Sequence, residues 1–145
     1  MRTQGSAQRA RGMSLIELMT VVLIAGILAS IAIPSYRNYV IRAKRTDAKT
    51  ELLAAAQRLE RCYTVANTYT GCLALPLNAP AGSTGSNVNY VISGNPADQA
   101  FTLTATPQNG QASDAKCGNF TLDQVGARGA SGTMTAEKCW QGSGG

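Results

Sequence analysis

A long apolar run near the N-terminus dominates the hydrophobic pattern of this 145-residue chain. The 21 residues from Met13 to Ile33 contain a single charge, which belongs to Glu17. A helix of that length rises about 30 Å, roughly the thickness of the hydrocarbon core of a bilayer. The run therefore predicts a membrane-spanning helix whose one carboxylate is costly, because lipid offers it neither hydration nor a partner.

Helical periodicity continues beyond the apolar run. Pro34 is predicted to kink the helix without ending it, because the helical pattern resumes directly afterwards. An amphipathic stripe follows at helical spacing, formed by Leu52, Ala56, Leu59 and Tyr63. The charged residues of the same segment are assigned to the polar face: Arg42, Lys44, Arg45, Lys49, Glu51, Arg58 and Arg61.

The composition changes after Ala66, where we expect the long helix to end. Twelve of the 15 glycines lie beyond this point, which indicates a region of turns and short strands. The clearest strand is Phe101–Thr106, where apolar residues alternate with threonines. Two further strands are predicted at Asn89–Ser93 and Asn119–Asp123. The predicted fold class is α+β, with the long helix packed on about three or four antiparallel strands.

All four cysteines follow the apolar run, and four cysteines permit three pairings. Nearest-neighbour pairing joins Cys62 to Cys72 and Cys117 to Cys139. Disulfides in a small domain with a thin core indicate an oxidising compartment, so the N-terminus is predicted to be cytoplasmic and the rest periplasmic. The rival interpretation as a metal site has little support, because the chain has no histidine and neither pair has close CxxC spacing.

The sequence contains no recognisable catalytic site. It lacks histidine, a phosphate-binding glycine motif and a nucleophile elbow. We predict no enzymatic activity, no catalytic residues, no cofactor and no metal. The acidic residues after the helix are assigned to solubility or turn capping, and they are Asp98, Asp114, Asp123 and Glu137. Trp140, beside Cys139, is predicted to be a packed aromatic.

A basic leader ending in Gly12 is followed directly by Met13-Ser-Leu-Ile-Glu17 and the apolar run. This pattern resembles the N-terminal signature of the type IV pilins. The resemblance implies cleavage between Gly12 and Met13 by a prepilin peptidase, with N-methylation of Met13 and retention of the apolar helix. It also implies that Glu17 pairs with the N-terminal amine of a neighbouring subunit, which would offset the cost of burying both charges. The alternative is that Glu17 stays hydrated at the level of the lipid headgroups.

The resemblance divides the chain into four parts. Residues 1–12 form a cleaved leader, residues 13–34 the transmembrane half of the helix that becomes the filament core, and residues 35–66 the amphipathic half. Residues 67–145 form a β-rich periplasmic or extracellular region. The run from Cys117 to Trp140 is most similar to PilE-type minor pilins, and the Cys117–Cys139 pair resembles the C-terminal disulfide of the family. The Cys62–Cys72 pair depends more on proximity.

The implied function is that of a minor structural subunit of a type IV pilus, with roles in assembly priming, twitching motility and attachment. Major pilins and type II secretion pseudopilins are alternatives. The implied partners are other pilins, the prepilin peptidase, the assembly machinery and the inner membrane, which a single helix crosses before assembly places the subunit in an extracellular pilus.

The alternative to a structural subunit is a binding protein. It would bind DNA or a surface ligand with the help of Arg128 and Lys138. Two charges make a poor nucleic-acid footprint. Without the leader, ten basic and eight acidic residues leave a net charge of only +2. Nucleic acid is therefore predicted to be an unlikely partner.

Overall fold

The computed structural model describes residues 13–142. Helix α1 is a continuous helix of 52 residues, Leu15–Ala66, and contains Pro34. It ends as predicted, because Asn67 takes a left-handed conformation (φ 54°) and donates its N–H to the Tyr63 carbonyl at 2.8 Å. The kink at Pro34 stays a prediction.

The described chain divides into two compact units. The first contains the described residues up to Tyr36, and the second begins at Arg37. The sheet, both disulfides and the buried residues all belong to the second unit, which is called the head below.

The head contains a five-stranded antiparallel sheet whose strands neighbour each other in chain order. The strands are β1 (Leu77–Ala79), β2 (Tyr90–Gly94), β3 (Thr102–Pro107), β4 (Phe120–Asp123) and β5 (Arg128–Ala130). Strands β2, β3 and β4 confirm the three predicted strands to within one residue. The expectation of three or four strands missed at least one edge strand, because β1 and β5 have three residues each and show no alternation.

A short C-terminal helix, α2 (Ala136–Gln141), was not predicted from the sequence. It ends at Gly142, whose φ of 82° lies in the left-handed region that glycine adopts without a steric penalty. Two 3₁₀ turns, Gly85–Asn87 and Asn109–Ser113, precede β2 and β4 respectively.

Helix α1 and the sheet enclose one hydrophobic core. The predicted stripe is rotated: Leu52 and Leu59 are fully buried, whereas Ala56 and Tyr63 are only partly buried at the edge of the core. Two small residues of the same helix, Ala48 and Ala55, are also fully buried in this core. The sheet contributes larger side chains on its inner face, namely Tyr90, Ile92, Leu103, Phe120 and Leu122.

Two disulfides close the head, and they are the nearest-neighbour pairs. Cys62–Cys72 joins the end of α1 to the loop that follows it, with a Cα–Cα distance of 5.7 Å. Cys117–Cys139 joins the segment before β4 to α2, also at 5.7 Å. The second bond lies in the core, since both of its cysteines are fully buried.

Candidate filament segment and nucleic-acid interface

The apolar segment at the start of α1 is exposed along its whole length. The exposed fraction of its large apolar side chains runs from 54% for Ile33 to 78% for Leu15. By length and composition this helix can cross a membrane. An apolar surface of this extent requires lipid or other helices to cover it.

Glu17 lies in the first turn of α1 and is exposed. Within residues 13–142, no cation lies within salt-bridge distance of its carboxylate. The Thr20 hydroxyl donates to the Glu17 backbone carbonyl at 2.8 Å. Gly12 and the predicted leader lie outside the described residues.

Arg45 and Asp114 correct two assignments made from the sequence. Arg45 was placed on the polar face of the helix, yet it is only 3% exposed. Its Nε and Nη2 atoms donate to the two carboxylate oxygens of Asp114 at 2.7 and 2.8 Å. Asp114, assigned to solubility or a turn, is itself buried. The loop that carries it reaches the helix and supplies the partner that a buried guanidinium requires.

Hydrogen bonds extend this ion pair into the core. The Gln111 amide donates to the Tyr90 hydroxyl at 3.0 Å and to Asp114 at 3.3 Å. It also donates to the Ile41 carbonyl of α1 at 3.3 Å. The network therefore ties α1, β2 and the 3₁₀ turn before β4 together through polar contacts.

The pKa values of two groups in the network are shifted. Burial by itself raises the pKa of Asp114. The hydrogen bonds and the charge of Arg45, together with hydrogen bonds from the N–H groups of Cys117 and Lys116, outweigh burial and hold this pKa below its usual range. Burial is the main cause that raises the pKa of Tyr90 to about 12, partly opposed by the hydrogen bond from Gln111. Asp114 is thus held ionised and Tyr90 neutral.

Glu51 was also assigned to the polar face, but it is only 7% exposed. Its carboxylate lies 3.9 Å from the guanidinium of Arg58, whose side chain is about half exposed. The partner of Glu51 thus reaches it from solvent, unlike the enclosed pair of Arg45 and Asp114.

Trp140 is a packed aromatic, as predicted. Its ring meets that of Phe120 edge to face at 5.8 Å, and its Nε1 donates to the Gly129 carbonyl at 3.0 Å. The exposed Arg128 guanidinium lies over the same ring, 5.1 Å from its centroid. Trp140 therefore holds Arg128 at the surface. Lys138, the other cation suggested for binding, is exposed on α2.

Several further cations line neighbouring grooves of the head. Arg42 lines two neighbouring grooves, of which one also contains Lys116 and the other Lys49. Lys49 donates to the Trp140 carbonyl at 3.3 Å. Burial, then the charge of Arg45, lowers the pKa of Lys49. These contacts connect the cations of α1 to the C-terminal helix.

The contacts of Trp140 connect these cations to two more. Arg128 lies over that ring and lines a further groove together with Arg61 of α1. Arg42 and Arg61 are 19 residues apart on one helix, which corresponds to about 28 Å. We call the connected set the basic flank, and its members are Arg42, Lys49, Arg61, Lys116 and Arg128.

The acidic residues that line the grooves of the basic flank already accept hydrogen bonds within the head. Glu60 accepts from the Tyr69 hydroxyl at 3.0 Å. Asp123 accepts from the N–H of Ala127 at 2.8 Å, and Glu137 accepts from the Gln141 amide at 3.1 Å. Sequence analysis missed the flank because its members come from three distant segments, and only their contacts bring them together.

Residues 13–142 contain no candidate metal site, because no three side chains of His, Cys, Asp or Glu lie close enough together to hold an ion. The fold and the exposed apolar helix define a class: proteins with a small disulfide-closed α+β head and an N-terminal apolar helix long enough to cross a membrane.

Family models place the chain within this class. Residues 34–121 match the model described as type IV minor pilin ComP, DNA uptake sequence receptor. Residues 7–33 match the prokaryotic N-terminal methylation motif. The chain belongs to the type IV minor pilin family, which confirms the resemblance and gives it a ComP-like description. As pilins are structural proteins that lie in a membrane before assembly and in a pilus afterwards, the prediction of no enzymatic activity is also confirmed.

Similar proteins include pilins and fimbrial proteins of several bacteria. A probable minor fimbrial protein of Dichelobacter nodosus is 34% identical over 120 residues, which are 73% of this chain and 76% of the relative. The type IV major pilin PilA of Myxococcus xanthus is 52% identical over 54 residues, but the match spans only 24% of that relative. A type IV pilin structure from Shewanella oneidensis has 30% identity and a TM-score of 0.48, covering 61% of this chain and 89% of that one.

The family description conflicts with one prediction. Nucleic acid was expected to be an unlikely partner, because the sequence suggested only Arg128 and Lys138 as binding cations. The matching family is described as a DNA uptake sequence receptor. The basic flank adds four cations to Arg128, so the original argument from two charges no longer applies.

Proposed function

We propose that this minor pilin binds duplex DNA through the basic flank and serves in DNA uptake. The connected set of five cations carries the proposal. Four of them lie within residues 34–121, the segment that matches the family described as a DNA uptake sequence receptor. The fifth, Arg128, is held at the surface by Trp140.

The dimensions of the flank suit a DNA backbone. Its length along α1, about 28 Å, corresponds to roughly eight base pairs at about 3.4 Å each. Lysine and arginine side chains neutralise phosphates and release condensed counterions, which makes such binding strongly dependent on salt. The carboxylates of Glu60 and Asp123 oppose this attraction, but Arg61 and Arg128 line the same groove and balance their charge.

Salt-dependent DNA binding by the full chain in detergent micelles tests the proposal. Each phosphate contact steepens the slope of log K against log salt by about 0.9, so Arg42→Gln combined with Lys49→Gln should reduce the slope by about 2. Arg58→Gln is the matched control, because Arg58 is paired with Glu51 and is not part of the flank. Equal effects of the control and the double variant would refute the flank, and no binding even at about 50 mM salt would refute DNA binding.

We also propose that maturation follows the pilin pathway. The prepilin peptidase cuts between Gly12 and Met13 on the cytoplasmic face of the inner membrane and methylates Met13. Residues 13–34 then remain as a single-pass anchor and later enter the filament core, while residues 35–66 and 67–145 form the rest of the extracellular subunit. The match of residues 7–33 to the methylation motif supports this order.

Glu17 is proposed to act in assembly. Its exposed carboxylate lies near the N-terminal end of the apolar run Met13–Ile33, whose residues are all exposed. When neighbouring helices pack, the amine of another subunit would neutralise it and so set the axial stagger. The partners are other pilins and the assembly machinery. Priming, twitching motility and attachment are further proposed roles, and the abundance of the subunit in sheared pili would separate priming from a bulk structural role.

Two substitutions separate processing from assembly. Gly12→Val should leave the leader attached, seen as an unshifted band and as a mature mass that does not begin at Met13. Glu17→Ala should be processed normally but should be missing from sheared filaments. Normal processing of the first variant would contradict the cleavage site, and normal incorporation of the second would make Glu17 a hydrated interfacial residue.

A further inference from the structure

A groove of about 430 Å³ lies in the head between α1 and the end of β4, next to the basic flank. Its volume falls in the range of small-molecule sites, about 300–1,000 Å³. Leu53, Ala56 and Leu122 give it an apolar lining. Leu53 is 39% exposed, so a ligand can reach this lining. We call this feature the α1–β4 groove.

The polar groups around the groove offer both acceptors and donors to a ligand. Glu60 and Asp123 line it, and each accepts hydrogen bonds from the head through one carboxylate oxygen, which leaves the other oxygen as an acceptor. Gln124 uses its carbonyl oxygen to accept from the Phe101 N–H at 3.3 Å, which leaves its NH₂ group as a donor.

The helix side of the groove adds further donors. The side chains of Gln57 and Arg61 make no hydrogen bond or ion pair within residues 13–142. Arg128 stands at the opposite rim, where its one aromatic neighbour, Trp140, leaves its N–H donors uncommitted to any carboxylate of the described chain. The groove thus combines an apolar lining, two carboxamides and two guanidinium groups.

We propose that the α1–β4 groove binds a single unpaired nucleobase of DNA held on the basic flank. A nucleobase has an apolar face and an edge that carries hydrogen-bond donors and acceptors, and the phosphate of its nucleotide is an anion. The lining suits the face, Gln57 and Gln124 reach the edge, and the guanidinium of Arg128 or Arg61 binds the phosphate. A paired base cannot enter, because its edge and faces are occupied within the duplex.

Continuity with the flank favours this ligand over a free small anion. Arg61 and Arg128 belong both to the flank and to the rim of the groove. A backbone that follows the flank therefore passes the mouth of the groove. The inference rests on the proposed DNA-binding function and adds a base-binding site to it.

The test compares two duplexes on the full chain in detergent micelles. One duplex is fully paired, and the other carries one extra unpaired 2-aminopurine, whose fluorescence reports its stacking. The bulged duplex should bind about fivefold or more tightly, since one face of the inserted base leaves water for the apolar lining. The fluorescence of 2-aminopurine should change on binding.

Variants distinguish the groove from the flank. Ala56→Leu fills the groove and should abolish the preference for the bulged duplex, while binding of the paired duplex is unchanged. Gln57→Ala, a truncation at an exposed helix position, should reduce the same preference without disturbing the fold. Arg42→Gln should weaken both complexes equally and so keep their ratio.

The remaining outcomes test the groove and the DNA-binding function separately. Equal affinity of the wild-type chain for the two duplexes would overturn the groove but leave the flank. A preference that survives Ala56→Leu and Gln57→Ala would also overturn it. Failure to bind either duplex would instead overturn the DNA-binding function on which the groove depends.

Discussion

Arg45 of α1 and Asp114 of the loop before β4 form a buried, two-point ion pair across 69 positions of sequence, at 2.7 and 2.8 Å. Neither residue looks buried in the sequence. Each side chain pairs with a charge that would otherwise be buried without a partner. Together they attach the loop before Cys117 to the helix. The stability of the head therefore depends on both members of the pair.

Removing one partner should cost far more than removing both. Arg45→Met or Asp114→Asn should each destabilise the head by about 3–5 kcal/mol, because an uncompensated buried charge or polar group is left behind. The double variant should recover much of that loss. Denaturant unfolding followed by Trp140 fluorescence measures both. Arg42→Met, at an exposed position of α1 that makes no ion pair within residues 13–142, serves as the control and should stay within about 0.5 kcal/mol of the wild type. Additive losses in the double variant would contradict the coupling.

Acid should weaken the head through Asp114. Its pKa is below the usual value in the folded chain, whereas the unfolded chain titrates near the ordinary value of about 3.9. The unfolded state therefore takes up the proton first as the pH falls. The stabilisation from ionised Asp114 is fully present above the pKa of the unfolded state and is lost as the pH falls through the pKa of the folded state. Unfolding midpoints measured between about pH 6 and pH 2 should decline less steeply in Asp114→Asn than in the wild type. Parallel profiles would assign the acid sensitivity to other carboxylates.

Gly132 should not tolerate alanine. A Cβ at this position would collide with the Lys116 carbonyl oxygen and lie 2.6 Å from the Cys117 backbone nitrogen. Both are backbone atoms next to a disulfide and cannot move aside easily. Gly132→Ala should therefore lower the free energy of unfolding by about 1–3 kcal/mol. Gly110→Ala is the control, since its Cβ would meet open space, and it should stay within about 0.5 kcal/mol of the wild type.

The two disulfides should contribute unequally. Replacing Cys117 and Cys139 by alanine opens a larger loop and also leaves a cavity, because both sulfur atoms are fully buried. We expect a loss of about 3 kcal/mol from the chain-entropy contribution, with the cavity adding to it. The same change at Cys62 and Cys72 opens a shorter loop at half-buried positions and should cost less. Denaturant midpoints of the two double variants measure both losses. A larger loss for the variant at Cys62 and Cys72 would contradict the prediction.

Local signals in the chain were sufficient for the helix, three strands and the family. The apolar run with Glu17, the end of the helix at Ala66 and the alternation of Phe101–Thr106 each depend on neighbours close in sequence. Periodicity and composition record such short-range preferences directly. The same signals could not reveal β1, β5 or α2, whose three to six residues are too few to show a period.

Tertiary structure alone decided which charges are buried and which act together. Arg45 is in the core because a loop 69 residues away supplies its carboxylate, and no helical pattern could distinguish it from the exposed Arg42. The basic flank and the α1–β4 groove likewise join α1 to residues near β4 and β5. Their chemistry arises from long-range packing, since each side chain acquires its electrostatic partners only when the sheet closes on the helix.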